Sequence, residues 1–285
     1  MLTVLVTGAT NGIGLQTAKV LARMGHSVII HGRSQSKGNA ALEAIRAFAP
    51  DNPQVRFVRA DFASLTEVRR LAAEVGSLVP RLDVLVNNAG CANLTRTVSA
   101  DGYEATFAIN HLAPFLLTNL LLEKIRGTTP ARIVNVASRA HRNQQIDFDD
   151  LMSTRSYRVM RVYGRTKLAN ILFTRALARR LAGTNVTANS LHPGLIATGI
   201  GQRSALGRLL WKLIVWIRGG ISVEEGAATS IYLATSPEMS DASGGYYVRC
   251  EPAPLQTRPE AVSEEVAERL WKVSEELVGL PCTSS

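Results

Sequence analysis

The chain has 285 residues, 46% of them hydrophobic and 19% charged, so it can bury a full core and is neither disordered nor fibrous. Its 32 basic and 23 acidic residues give a net charge of +9, which favours anionic ligands. The basic residues are scattered without interleaved aromatic residues, so nucleic-acid binding is not expected.

Short apolar segments rich in β-branched residues alternate with longer helical patterns along the chain. In chain order, the strand candidates are TVLVT, SVIIH, VRFV, LDVLVNNA, RIVNVAS and NVTANSLHP. This alternation predicts a doubly wound (Rossmann) α/β fold, in which helices cover both faces of a parallel sheet. We predict one domain over residues 1–250 and a C-terminal extension over residues 251–285.

A glycine-rich turn, TGATNGIG at residues 7–14, joins the first strand to a helix. Glycine lets the backbone turn tightly and approach a diphosphate, and the helix N-terminus supplies amides and a positive dipole. A turn without a ligand is the alternative, but the strand-turn-helix context favours a dinucleotide. The candidate contacts are Gly8, Thr10, Asn11, Gly12, Ile13 and Gly14.

The end of the second strand, HGRS, indicates which dinucleotide binds. An NAD site usually has an acidic residue about 20 residues after the glycine motif, whereas this chain has Gly32 and Arg33 there. Arginine suits a 2′-phosphate, so we predict NADP(H). A solvated arginine, or one that stacks on adenine, is the alternative.

Tyr163 and Lys167 in VYGRTKLAN have the helical spacing that places two side chains on one face. They could share a pocket or lie on a solvated helix.

Another helix is predicted near the C-terminus, where Ser263 is an N-cap candidate and Gly279 a stop signal. Its expected buried stripe is Val266, Leu270, Val273 and Leu277.

Cysteine and histidine spacing gives no disulfide framework and no metal site. Cys91, Cys250 and Cys282 form no close pair, and the histidines form no HxxxH or HExxH pattern. The first strand leaves no room for a signal peptide, and no uninterrupted apolar run reaches the roughly 18 residues that span a bilayer. We therefore expect a cytoplasmic protein with no metal and no transmembrane segment.

Six motifs occur in one order: the glycine turn, NNAG at 87–90, FAINH with Asn110, VNVASRAH with Ser138, YGRTK, and HPGLIAT. In this order they resemble the short-chain dehydrogenase/reductase family over essentially the whole chain. The resemblance implies hydride transfer between a nicotinamide and a carbonyl or alcohol carbon, and a dinucleotide-binding, catalytic domain over residues 1–250. An NADPH-binding regulatory or interaction protein with little turnover is the alternative.

The resemblance also implies residue roles. Tyr163 would be the general acid/base and Ser138 the donor to the substrate oxygen, with Lys167 and Asn110 completing the catalytic set. We expect Lys167 and an oxidised nicotinamide to lower the Tyr163 pKa. A helix cap at Asp61 and ordinary turns elsewhere are the alternatives for the remaining implied cofactor contacts. Those contacts are Asp61, Phe62, Asn87, Asn88, Ala89, Gly90, Tyr163, Lys167, Pro193, Gly194 and Thr198.

The long interval between Ser138 and Tyr163, the KLANILF motif and the C-terminal ERLWKVSEELVGLP resemble the retinol dehydrogenase branch. Its members act on lipophilic alcohols and carbonyls, and a relative reduces protochlorophyllide. The departures are a missing N-terminal membrane anchor, Thr166 in place of serine and Pro114 in place of histidine. We expect a lipophilic carbonyl or alcohol substrate; retinoid specificity and a homo-oligomer stay open.

Residues 199–222 follow the PGLIAT motif and are predicted as a substrate lid. Burial against the body and shallow membrane contact are the alternatives. The apolar stripe of this segment is Leu206, Leu209, Leu210, Leu213, Ile214 and Ile217.

One long helix is predicted from about Asp101, with Pro114 four residues after Asn110. Proline has no amide hydrogen, so the Asn110 carbonyl should lose its helical partner. In the family this main chain holds a water that relays protons from the lysine, so we predict a kink with water between Asn110 O and Lys167 Nζ. A simple bend of the helix is the alternative.

Three histidines flank the motifs and are interpreted as packing or supporting residues: His111, His141 and His192.

Overall fold

A single sheet organises the described part of the chain, which comprises residues 1–52, 54–127, 130–194 and 220–281 of a computed structural model. The strands are β1 (Thr3–Val6), β2 (Ser27–Gly32), β3 (Val55–Arg59), β4 (Val84–Asn87), β5 (Ala131–Val136), β6 (Val186–His192), β7 (Tyr246–Val248) and β8 (Glu251–Pro252). Their order across the sheet is β3-β2-β1-β4-β5-β6-β7-β8, and all pairs are parallel except β7 with β8. The predicted doubly wound parallel fold is confirmed.

Helices cover both faces of this sheet. They are α1 (Gly12–Arg23), α2 (Gln35–Phe48), α3 (Leu65–Leu78), α4 (Ala105–Phe107), α5 (Ala113–Arg126), α6 (Val159–Arg180), α7 (Val223–Thr235) and α8 (Glu264–Val278). Helices α1, α2 and α7 lie on one face, and α3, α5 and α6 lie on the other, with α8 packed against α6. Successive strand residues face opposite layers, so apolar residues run continuously along each strand.

The helical stretch Ala105–Arg126 is long and apolar enough, among the described residues, to cross a membrane. Within the protein, 78% of its most apolar window is buried, as expected of a core helix between two others. The helix begins at Ala105 and not near Asp101, because the Glu104 carboxylate accepts the amides of Thr106 (2.8 Å) and Phe107 (2.7 Å) and so caps it.

The C-terminal helix α8 has the predicted ends. Ser263 Oγ accepts the Val266 amide at 3.3 Å, and Gly279 stops the helix with a φ of 64°. Its buried face is turned relative to the prediction, because the large Trp271 ring packs against Phe115 at 4.9 Å and Phe173 at 5.8 Å. The buried residues of α8 are Ala267, Leu270, Trp271, Ser274, Glu275 and Val278.

Two predictions about the C-terminal half of the chain can be compared with the structure. The sheet continues past the expected boundary at residue 250, because β8 pairs with β7. The lid predicted over residues 199–222 lies outside the described residues except for 220–222, and its whole apolar stripe lies outside them too. At the described end, Ser222 and Glu225 form a capping box that starts α7.

Helix α8 is fastened to α6 by the Glu268 carboxylate. Arg180 donates to it at 2.6 and 2.9 Å and Arg179 at 2.7 Å, while the Arg180 guanidinium lies 4.0 Å from the centre of the Trp271 ring. The hydrogen bonds from Arg180, then those from Arg179, lower the pKa of Glu268 from 4.5 to about 2. A lowered carboxylate pKa stabilises the folded state above the unfolded pKa and loses that effect as pH falls toward the folded pKa.

We therefore expect Glu268→Gln to lower the free energy of unfolding near neutral pH by on the order of 1 kcal/mol, allowing for partial solvent screening. The difference from wild type should shrink as pH falls from 4.5 toward about 2. Urea unfolding at several pH values measures it, with Glu265→Gln, an exposed change on the same helix, as the control. A loss that does not vary with pH would contradict the assignment.

Candidate active site

The predicted functional residues gather at one edge of the sheet, where parallel strands end together. Gly8 follows β1, Asn88 follows β4, and Ser138 follows β5. The strand order reverses between β1 and β4, which makes that position the topological switch point at which doubly wound sheets bind ligands. Pro193 and Gly194 lie directly after β6 at the same edge, whereas Thr198 lies outside the described residues.

The turn after β1 touches the turn after β4 directly. Gly8 has a φ of 63°, and a Cβ at this position would lie 2.7 Å from Ala89 Cα. Asn88 Nδ2 donates to the carbonyl oxygens of Thr7 (2.8 Å) and Gly8 (3.2 Å). Thr7 Oγ1 accepts the amides of Asn88 (2.9 Å) and Ala89 (3.0 Å). Asn88 and Ala89 therefore hold the glycine turn in place.

The glycine turn fits a diphosphate by its geometry. Asn11 is the N-cap of α1 but makes no side-chain capping bond, and the first turn has no acidic residue. The amides at this end and the positive helix dipole are thus left for an anionic ligand. A Cβ at Gly14 would overlap Asn88 Nδ2, so the helix start lies tight against β4. These residues fit the pyrophosphate of a dinucleotide.

The end of β2 leaves little room for an acidic side chain. A Cβ at Gly32 would overlap the Thr10 methyl group, so residue 32 cannot be a carboxylate while Thr10 stays where it is. Arg33 is exposed, and within the described chain it makes no ion pair. The Arg33 side chain is therefore exposed at the end of β2, next to a residue that has no room for a carboxylate.

His31, which the sequence did not single out, supports the glycine turn through a hydrogen bond to the Gly8 main chain. Its Nδ1 accepts the Gly8 amide at 3.3 Å, so its Nε2 is the atom that donates to Ala60 O at 3.0 Å. Burial lowers its pKa to about 4, which keeps the ring neutral. A histidine at the end of an otherwise apolar strand next to Gly32 was the signal available.

Three predicted cofactor contacts have side chains occupied elsewhere. Phe62 is buried and stacks on His31 with ring centroids 4.3 Å apart, and Asp61 Oδ1 caps the Ala63 amide at 3.0 Å. The Asn87 amide donates to Thr118 and Asn135 within the core, both at 2.9 Å.

Tyr163 and Lys167 are buried together and do not form a solvated face. Tyr163 is 8% exposed and Lys167 is 3% exposed. Lys167 Nζ donates to Val136 O at 2.9 Å and lies 5.6 Å from the centre of the Tyr163 ring. The Ser138 hydroxyl lies beside the Tyr163 phenol and acts to lower its pKa. The solvated-helix alternative is therefore wrong.

Asn110 joins this pocket through its side chain. Its Oδ1 accepts the Cys91 amide at 2.8 Å, and its Nδ2 donates to Cys91 O at 2.9 Å and Thr166 Oγ1 at 3.0 Å. A Cβ at Gly90 would lie 3.3 Å from both Asn110 Oδ1 and Lys167 Nζ. Gly90 thus keeps open the space between these two groups. The threonine that replaces a common serine at position 166 supplies the hydroxyl that Asn110 needs.

The pKa values of Tyr163 and Lys167 shift in opposite directions, and burial is the main cause of both shifts. Burial raises the pKa of Tyr163 to about 12, against the lowering effect of the neighbouring Ser138 hydroxyl, and lowers the pKa of Lys167 to about 8. Desolvation penalises the charged form of each group. The Tyr163 pKa is therefore raised in the protein alone and not lowered as expected, because burial of the phenol is the largest cause of its shift.

A π-helical turn, Ala108–Leu112, separates α4 from α5 and contains Asn110. The Ala113 amide donates to Ala108 O, five residues back, and Pro114 follows with no amide hydrogen to donate. The wider turn is how the helix accommodates the proline, and such turns are common at functional sites. The sequence predicted a disturbance at this place but not its form.

Comparisons with known proteins agree with this geometry. Residues 2–208 match the family model for short chain dehydrogenase. The chain is 44% identical over 290 residues to retinol dehydrogenase 14 from Mus musculus, covering 98% of this chain and 86% of that protein. It is 43% identical over 294 residues to retinol dehydrogenase 13 from Homo sapiens, covering 99% and 86%.

Solved structures give the same result. An uncharacterised protein from Mycobacterium paratuberculosis superimposes with a TM-score of 0.77 at 32% identity, over 98% of this chain and 94% of that one. RhlG from Pseudomonas aeruginosa, in an active-site complex with NADP, gives a TM-score of 0.67 at 26% identity, over 86% and 93%.

Proposed function

Because this chain belongs to the short-chain dehydrogenase/reductase family, we propose that it is an NADP(H)-dependent oxidoreductase that interconverts a carbonyl and an alcohol on a lipophilic substrate. The observation that carries the proposal is the burial of Tyr163 and Lys167 together, with Ser138 and Asn110 beside them, next to a glycine turn that fits a diphosphate. A bound nicotinamide would supply or accept the hydride.

Tyr163 is the proton donor in the reductive direction. With a pKa raised to about 12, the phenol keeps its proton at neutral pH and can give it to a substrate oxygen that becomes an alkoxide. The neighbouring Ser138 hydroxyl can donate to the same oxygen and align it. Burial of the pair excludes water, which strengthens each of these interactions.

The Lys167 ammonium has further N–H groups that can donate hydrogen bonds to a ligand. An ammonium has three N–H groups, and one of them is bound to Val136 O. The other two can hold the nicotinamide ribose and act on the Tyr163 oxygen. Its pKa of about 8 leaves it mostly charged at neutral pH.

Support for a lipophilic substrate comes from the relatives named as retinol dehydrogenases and from the rim of the site. Leu94 is 65% exposed and Met160 is 59% exposed. Tyr157 Oη donates to Asn93 O at 2.7 Å and so joins the loop of Leu94 to the segment just before α6. Met160 lies in the first turn of α6. Exposed apolar side chains close in sequence to Gly90 and Tyr163 suit an apolar ligand.

The direct test is NADPH oxidation with aldehydes, ketones and quinones of graded size. We expect longer apolar substrates to be favoured, and Tyr163→Phe to lower kcat by about 10² to 10⁴-fold because the ring stays and the proton donor is lost. Tight NADPH binding without turnover of any substrate would instead favour the nucleotide-sensing alternative.

Cofactor choice is tested at Arg33. Removing a charge-assisted phosphate contact costs about 1.5 to 3 kcal/mol, or roughly tenfold to a hundredfold in affinity. Arg33→Ala should therefore weaken NADPH binding by that factor and leave NADH binding nearly unchanged in calorimetric titrations. Arg46→Ala, in the last turn of α2, is the matched control. Equal losses for both cofactors would show that Arg33 does not read the phosphate.

The proton relay is tested at Pro114. We propose that the Asn110 carbonyl, which has no donor at residue 114, holds a water that links it to Lys167 Nζ. Pro114→Ala restores an amide that can bond to this carbonyl, so kcat should fall while the NADPH dissociation constant stays nearly unchanged. Unchanged turnover would show that the proline only shapes the helix.

A further inference from the structure

His141 lies in the short 3₁₀ turn Arg139–His141 that follows Ser138, and its ring is fully buried at 0% exposure. Its Nδ1 lies 2.6 Å from Ser138 O, and its Nε2 lies 2.5 Å from Leu255 O. The ring also packs edge-on against Tyr246, with centroids 5.1 Å apart. Both ring nitrogens of this histidine therefore face main-chain carbonyl oxygens.

A carbonyl oxygen can only accept a hydrogen bond, so each ring nitrogen must bring a proton. A neutral ring has one N–H and would point its remaining lone pair at the lone pairs of a carbonyl. We infer that His141 is held as an imidazolium and positions Ser138 by fastening the loop after β5 to the C-terminal segment around Leu255. The inference rests on the proposed function, in which Ser138 aligns the substrate oxygen.

The fastening acts on the main chain of Ser138. Its carbonyl accepts the His141 amide at 3.1 Å as well as Nδ1, and its Oγ accepts the Ala140 amide at 3.2 Å. A Cβ at Gly164 would overlap Ala140 O, so this turn sits directly on α6 next to Tyr163. A shift of the Ser138 carbonyl therefore changes the distance between the Ser138 and Tyr163 hydroxyls.

The other end of the fastening gives the C-terminal extension a role at the site. The Ala253 amide donates to Tyr246 O at 2.8 Å, and Leu255 packs against the cluster of Ala137, Ile171 and Tyr246. The segment then leads to α8, which is bonded to α6. Leu255 O is thus fixed from both sides and offers His141 a rigid acceptor.

Like charges near the ring oppose its cationic form. Arg139 and Arg142 flank the ring in sequence; burial first, and then Arg139, His141 and Arg142, lower the pKa of His192 on β6. Within the described chain, no acidic side chain forms an ion pair with His141. The two carbonyl bonds, each strengthened by the ring charge, are the contacts that favour the cation.

Two substitutions separate the two bonds. In His141→Asn the amide replaces Nδ1 and can reach Ser138 O but not Leu255 O, whereas in His141→Gln it replaces Nε2 and can reach Leu255 O but not Ser138 O. His26→Asn, at a half-buried histidine at the opposite edge of the sheet, is the matched control. For each protein we would measure kcat, the NADPH dissociation constant and amide hydrogen exchange. In the wild type we would also measure the ring ¹⁵N signals at neutral pH.

We expect two protonated ring nitrogens for His141 in the wild type. His141→Gln should lower kcat about tenfold to a hundredfold through misplacement of Ser138, with His141→Asn retaining more activity and both keeping NADPH affinity. Amides 253–257 should exchange faster in His141→Asn than in His141→Gln.

A neutral ring, or wild-type kcat in both variants, would overturn the inference. If the wild type reduces no carbonyl, the proposed function fails, while the ring signals and the exchange rates still decide whether His141 fastens the loop.

Discussion

The close approach of the turn after β1 to the turn after β4 is the constraint on which the site depends. Gly8 and Gly14 leave no room for side chains against Ala89 and Asn88, and hydrogen bonds from Asn88 hold the two turns together. Gly90, two residues after Asn88, then fixes the space beside Lys167. The surface that fits a diphosphate and the pocket that holds the catalytic groups therefore form one rigid unit.

Behind that unit, polar side chains are bonded to one another inside the core. Asn87 donates to Thr118 and Asn135, and Asn135 donates to Thr174, all at 2.9 Å. These bonds tie β4 and β5 to α5 and α6. A buried polar network of this kind specifies one arrangement of its elements, since any other leaves polar groups unpaired. The elements that carry Asn110 and Tyr163 are thereby kept in register.

Much of this arrangement could be predicted from the sequence, because local patterns dictate it. The six apolar segments correspond to the six strands β1 to β6, and Ser263 and Gly279 mark the ends of α8. The strands β7 and β8 were missed because three and two residues carry no periodicity. The π-helical turn was missed because it results from a cap at Glu104 and a proline at 114 acting on one short stretch.

The catalytic residues followed from ordered motifs, but their electrostatics did not, because desolvation depends on burial that only the folded chain creates. The hydrogen bonds of His31 and His141 could not be predicted from the sequence either. Their partners are Gly8, Ala60 and Leu255 main-chain atoms that tertiary contacts bring within reach.

The last turn of α8 has a consequence for how this protein is made. Tyr103 Oη donates to Leu277 O at 2.6 Å, and Arg69 donates to Val278 O at 2.5 Å, across 174 and 209 positions of sequence. During synthesis the residues near 278 are still inside the ribosomal tunnel when α3 and α5 have emerged. The N-terminal strands can pair during translation, but the last helix can be fastened only after the residues near 278 have emerged. A chain left unfinished by a few turns would therefore expose the apolar face of α5 and α6 to the cell's proteases and chaperones.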